Sequence, residues 1–199
     1  MSFHSTDVSG LMIFEPKILE DNRGYFFEAF NEKTFRDAGI NSGFVQDNQS
    51  SSSYGVIRGL HYQLNPHAQT KLVRVLSGRI LDVAVDIRRG SPSFGKSFVI
   101  ELSDENKKQL FIPAGFAHGF SVLSENAIIL YKCDKLYNKE SEAGILYNDP
   151  SLMIDWQIEA GKELISSKDQ QLPFLANCQN NFDFLGDSNA PLISEHPIK

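Results

Sequence analysis

Gly55-Val56-Ile57-Arg58-Gly59-Leu60-His61-Tyr62-Gln63, followed eight residues later by Lys71-Leu72-Val73-Arg74, decides the reading of this chain. Both stretches are apolar enough to be strands, yet they carry arginine, histidine and lysine. Strand interiors are poor places for charge unless partners or an anionic ligand meet it there. Burying such groups unpaired costs on the order of several kcal/mol per ion. The two stretches therefore read as floor and wall of a site, with Arg58 and Lys71 close together if the strands pair. Strict alternation puts Arg58 on the opposite face from His61, and Gly59 between them would allow a bulge that brings both inward.

Outward from this pair, residues 79–87 place Leu81, Val83, Val85 and Ile87 on one face, alternating with Asp82 and Asp86, the period of a half-buried strand. Residues 11–14, 25–30, 44–48, 96–102, 109–112 and 127–136 also read as strands, the last with Ile129, Tyr131 and Cys133 on one face. Asn31 caps a short helix through Ala38 that Gly39 stops, with Phe35 and Ala38 facing inward. Residues 21–24 form a turn. Residues 49–54, with four serines, read as a polar loop, and 113–119 as a loop or tight turn feeding a strand at 120–123. Many short strands with little helix give an all-β sandwich or barrel. Residues 1–175 form a single domain, and 176–199 a polar tail, weakly ordered or docked through Phe182, Phe184 and Leu185.

The 199 residues, 41% hydrophobic and 22% charged, suit a soluble globular chain. A net charge of -6 argues against nucleic acid as a partner, so an anionic substrate must be gripped by a local basic cluster. Residues 1–10 have neither the basic start nor the apolar core of a signal peptide. The apolar run 127–131 is too short to span a bilayer, so no membrane association is expected. Cys133 and Cys178 make neither a CxxC pattern nor a disulfide framework, which fits reduced thiols in the cytoplasm.

His61 is either a core histidine satisfied by a neighbour or, beside Arg58 and Lys71, part of a site. His118, in Pro113-Ala-Gly-Phe-Ala-His-Gly-Phe120, sits between glycines in a constrained segment where functional residues often lie. Tyr131 packs, or donates a proton if the sheet opens there. Asp169 is a turn residue, or a carboxylate orienting a histidine base. A closely spaced His-x-His followed by a carboxylate is missing, so no catalytic metal is expected. The absence of GxGxxG argues against a dinucleotide.

Asp21-Asn-Arg-Gly24, Gln46-Asp-Asn48, Arg58-Gly-Leu-His-Tyr-Gln63, Lys71-Leu-Val73, Asp82-Val-Ala-Val-Asp86 and the His118 octapeptide, in this order, resemble the dTDP-4-dehydrorhamnose 3,5-epimerases over about residues 11–174. The resemblance implies a cupin-like jelly-roll β-barrel or sandwich with a few short helices. It also implies no cofactor, a homodimer in which the N-terminal strand adds to a neighbour's sheet, and a nucleotide-diphosphate-linked 4-keto-6-deoxy sugar as substrate. His61 would then be the base, with Asp169 as its partner. Lys71 would stabilise the enolate and Tyr131 return a proton on the opposite face. Arg23, Glu28, Gln46, Asn48, Arg58, His118, Glu142 and Lys168 would hold substrate, and Tyr137 would stack on the base. Leu136 stands where many members have a further tyrosine. The same motifs occur in relatives that invert only C3 or only C5, or that act on CDP-linked sugars. Two other classes compete: a catalytically silent sugar-nucleotide-binding cupin and a metal-dependent cupin oxygenase.

Overall fold

The computed structural model describes residues 2–186. In chain order the strands are β1 (Ser2–Ser5), β2 (Met12–Glu15), β3 (Leu19–Asp21), β4 (Gly24–Phe26), β5 (Gln46–Ser53), β6 (Val56–Gln63) and β7 (Lys71–Ser77). They continue with β8 (Arg79–Asp86), β9 (Ser97–Ser103), β10 (Gln109–Ile112), β11 (Phe116–Val122), β12 (Asn126–Cys133), β13 (Glu142–Gly144) and β14 (Leu164–Ile165). One helix, α1 (Glu32–Asp37), and three short 3-10 turns complete the set. Asn31 caps α1 by accepting from the Thr34 N–H at 3.2 Å, and Phe35 is the residue that α1 buries.

Two sheets face each other as a sandwich rather than closing into one barrel. The first runs β1-β2-β10-β7-β12-β5, and the second β13-β6-β11-β8-β9 with β14 against β6. Between them Val73, Val75 and Ile129 of the first sheet meet Ile80, Ala84, Phe116 and Phe120 of the second. The outer face of the first sheet is covered by an aromatic cluster around Phe14, Phe35, Phe3 and Phe30. The outer face of the second, with Leu81, Val83, Val85 and Ile87, is covered by Ile145, Leu152, Trp156 and Phe182. β8 is consequently buried on both faces, not half-buried, because the C-terminal third of the chain wraps over it.

Three further expectations need correcting. β6 and β7 do not pair: they lie in opposite sheets, so Arg58 and Lys71 approach across the interior rather than along a ladder. The serine-rich stretch is not a loop but most of β5, an edge strand paired with β12 from Gln46↔Cys133 to Ser53↔Asn126. Backbone hydrogen bonds hold it, and its inner face looks onto a polar cavity, so apolar side chains are not required. Residues 116–119 are not a turn either: His118 and Gly119 sit mid-strand in β11, between β6 and β8. Glycine is needed there because the strands approach closely; a Cβ at Gly119 would stand 2.6 Å from the Arg58 carbonyl oxygen.

The tail docks through Phe182, 5% exposed, whereas Leu185 is 83% exposed, and 187–199 lie outside the described residues. Arg89 N–H donates to the Phe182 carbonyl and Phe184 N–H to the Arg89 carbonyl, both at 2.9 Å. Asn181 and Asn65 exchange three hydrogen bonds of 3.1–3.2 Å. The Phe182 ring meets Tyr62 edge-on at 6.1 Å. Phe182→Ala should therefore cost up to about 3–5 kcal/mol in urea unfolding. Unchanged stability would mean that the segment does not cover the sheet.

Candidate active site

The site forms where the inner faces of both sheets carry polar groups. β6 supplies Arg58 and His61. Along its pairing with β11, Phe120 faces Arg58 and His118 faces His61, so Gly119 alone opposes Gly59 and Leu60. This is the bulge foreseen at Gly59, whose φ is +113°, and it turns Arg58 and His61 to one side. β7, β12 and β5 answer from the other sheet with Lys71, Tyr131 and Ser50. Together with His118, Lys168 and Asp169 these line a cavity of about 650 Å³.

Asp169 arrives on a 3-10 turn and is 4% exposed. Its Oδ1 lies 2.8 Å from His61 Nε2, and its Oδ2 accepts from the Gly59 N–H at 3.3 Å. Burial alone would raise this carboxyl's pKa, but the bonds from His61, Gly59 and Ser166 outweigh it and hold the group below its usual range. With Nε2 given to the carboxylate, Nδ1 of the neutral imidazole carries the free lone pair. Asp169 thus fixes the orientation of a ring that lines the cavity.

Burial pushes the Lys71 ammonium below the ordinary lysine range, while Cys133, Asp82 and Glu142 partly restore it. Burial raises Tyr131, Cys133 raises it further and Arg58 opposes them, so the phenol keeps its proton. His118 Nε2 bonds Asp82 Oδ1 at 2.8 Å on the cavity floor. Asp82 as a partner was missed from the sequence, although an aspartate inside an apolar strand signals that a partner is required. Among the described residues no three His, Cys, Asp or Glu side chains converge as a metal-binding set.

The remaining candidates fall into two groups. Gln46 donates to Asn48 at 3.0 Å and accepts from the Tyr137 N–H at 3.0 Å. The Tyr137 hydroxyl donates to Glu142 at 3.0 Å, and Lys168 donates to the other Glu142 oxygen at 2.6 Å. These side chains make a hydrogen-bonded rim joined to the cavity through Lys168. Glu142 raises the Tyr137 phenol and the Lys168 ammonium. Arg23 and Glu28 are not brought to this cavity. Arg23 pairs with Asp21 on the exposed β3–β4 hairpin, and Glu28 accepts from Asn31 at 3.0 Å.

The cavity joins an oriented imidazole, a buried lysine and a phenol across the gap between two sheets. The family model described as dTDP-4-dehydrorhamnose 3,5-epimerase matches residues 5–177. A Shigella flexneri protein of that name is 52% identical over 170 residues, 85% of this chain and 93% of the relative. The crystal structure of the Elizabethkingia anophelis dTDP-4-dehydrorhamnose 3,5-epimerase is 53% identical, with a TM-score of 0.85, covering 88% of this chain and 97% of the other. That of the Legionella pneumophila dTDP-6-deoxy-D-glucose-3,5-epimerase, in complex with dTDP-4-keto-L-rhamnose, is 45% identical with a TM-score of 0.85. It covers 97% of this chain and 98% of its own, so the likeness extends into the tail beyond the family match. By family match, sequence and fold alike, the chain belongs to the dTDP-4-dehydrorhamnose 3,5-epimerase family of isomerases.

Proposed function

We propose that the chain inverts C3 and C5 of a dTDP-linked 4-keto-6-deoxyhexose, by deprotonation and reprotonation beside the C4 ketone. The observation that carries this is that His61 and Tyr131 enter one cavity from opposite sheets. Inversion needs, at each carbon, one proton removed from one face of the ring and one delivered to the other. His61 removes the proton, with Asp169 as its positioning residue. Lys71 meets the charge that develops on the ketone oxygen, and Tyr131 returns a proton. Arg58, His118 and Lys168 hold the substrate from the cavity wall, and Gln46, Asn48 and Glu142 from the rim, with Tyr137 stacked on the base. Local cations let a chain of net charge -6 bind a diphosphate.

Arg23 and Glu28 contact substrate in this reading only if the hairpin reaches a second copy's cavity. The exposure of Leu19, Tyr25 and Phe26 on that hairpin supports a homodimer, which sedimentation would test. Two free cysteines and no helix among the described residues long and apolar enough to cross a membrane suit a cytoplasmic enzyme. Incubation with dTDP- and CDP-4-keto-6-deoxyglucose, followed by NMR of the product, tests the assignment. Inversion at both carbons of the dTDP sugar is expected. Inversion at one carbon only, or only with CDP, would restrict it, and no inversion with either would refute it.

The pH profile carries a sign. Lys71 works as an ammonium, and burial makes it lose that proton below the free-lysine value of 10.5. Burial shifts Tyr131 upward from 10.0, away from the neutral range. The alkaline limb of kcat/KM is therefore expected below 10.5. It should move upward in Lys71→Arg, whose guanidinium does not titrate in this range. A limb unmoved by that substitution would assign it to another group.

A further inference from the structure

We propose that Gln63 is the positioning residue for Tyr137, fixing the backbone on which the platform for the nucleobase stands. This rests on the nucleotide-sugar reading above. Tyr137 lies in residues 134–138, an irregular stretch between β12 and the 3-10 turn at Lys139–Ser141. Such a stretch has no ladder to take up its backbone groups, so side chains or water must hold them. Here side-chain amides do so. Gln63 Nε2 donates to the Leu136 carbonyl at 3.3 Å, and Gln63 Oε1 accepts from the Asn138 N–H at 2.7 Å. The two bonds bracket Tyr137, whose own N–H goes to Gln46. Gln69 Nε2 holds the Lys135 carbonyl in the same manner, at 2.8 Å.

The surroundings of Gln63 suit it to this task. It ends β6, two residues beyond His61, and is 4% exposed. A third bond, from Nε2 to the His67 carbonyl at 2.7 Å, anchors the carboxamide to the β6–β7 connection. The amide oxygen meets an N–H and the nitrogen meets two carbonyls. Turning the group over would set donor against donor and acceptor against acceptor, so its orientation is fixed. Tyr137, by contrast, is 57% exposed. Beyond the bond from its hydroxyl to Glu142, its placement depends on the backbone beneath it.

Calorimetry with dTDP and steady-state kinetics with dTDP-4-keto-6-deoxyglucose test this in wild type, Gln63→Met, Tyr137→Ala and the double variant. Methionine keeps the length of the side chain without its hydrogen bonds. Gln63→Met is expected to weaken dTDP binding and raise KM about fivefold, part of the roughly 5–150-fold that an aromatic ring stacked on a base is worth. The loss should appear in KM rather than in kcat. In the Tyr137→Ala background the same substitution should change neither affinity nor KM, because the ring it positions is gone. Equal losses in both backgrounds, a fall in kcat at unchanged KM, or an unchanged affinity for dTDP in Gln63→Met would each overturn the assignment. If Gln63→Met does not fold, Gln63→Glu, which keeps the bond from Asn138 and gives up both donors, is read by the same criteria. Wild type that binds no dTDP would refute the nucleotide-sugar reading and this assignment with it. Wild type that binds dTDP without inverting the sugar would refute the epimerase step alone, and the dTDP affinities then decide on Gln63.

Discussion

His61→Ala is expected to lower solvent-proton exchange into the substrate by about 10²–10⁴-fold, the usual contribution of a positioned base. The reason is geometric. Asp169, set at 2.8 Å from Nε2 and buried, fixes the ring so that Nδ1 carries the lone pair. His118, the other imidazole lining the cavity, is held by Asp82 in the same way but is much the more deeply buried, 7% exposed against 33% for the His61 side chain. The substitution should leave the fold intact, since the His61 ring lies on the cavity side and its strand is held by β11 and β13. Thermal unfolding together with exchange therefore separates lost chemistry from lost structure. Exchange retained at wild-type rate in His61→Ala would remove the residue from the role of base.

Lys71→Met is expected to lower kcat by about 10²–10³, the typical cost of losing a group that stabilises an oxyanion. A proton beside a ketone is weakly acidic, so the rate depends on meeting the enolate charge as it forms. Lys71 is buried at the meeting of β7 and β12, where desolvation opposes its charged form and Cys133, Asp82 and Glu142 favour it. That placement opposes folding, and in the proposed reaction it puts the amine where the enolate charge forms. Methionine keeps most of the side-chain volume without the charge, so Tm should stay level or rise while activity falls. A fall in Tm together with unchanged kcat would make Lys71 a structural residue.

How much of this was legible in the sequence differs residue by residue. The charges in the opening stretch were readable because apolar strands tolerate them poorly, and Gly59 between Arg58 and His61 pointed to the bulge that the β6–β11 register contains. Asp169 was only half readable locally: Ser-Ser-Lys-Asp suggests a turn or a carboxylate that could orient a histidine, but 108 positions separate it from His61, so the resemblance alone joined the two. β5 and β11 were misread for one physical reason. Turn-type residues, serines in one and glycines in the other, were taken as breaking strands, when edge pairing and close strand approach select the same residues. Alternation along β8 was seen, but not that chain from the C-terminal third would cover its outer face. The opposite-sheet placement of β6 and β7 is a matter of long-range topology, which a short polar connection does not encode.

The account depends on carbon losing its proton to the protein and regaining one from it. Deuterium uptake by the wild-type enzyme in D2O, followed by NMR of the dTDP-4-keto-6-deoxyhexose, tests this directly. The expected result is solvent deuterium at both C3 and C5 of the inverted sugar. Inverted product carrying its original hydrogens at those carbons would contradict it.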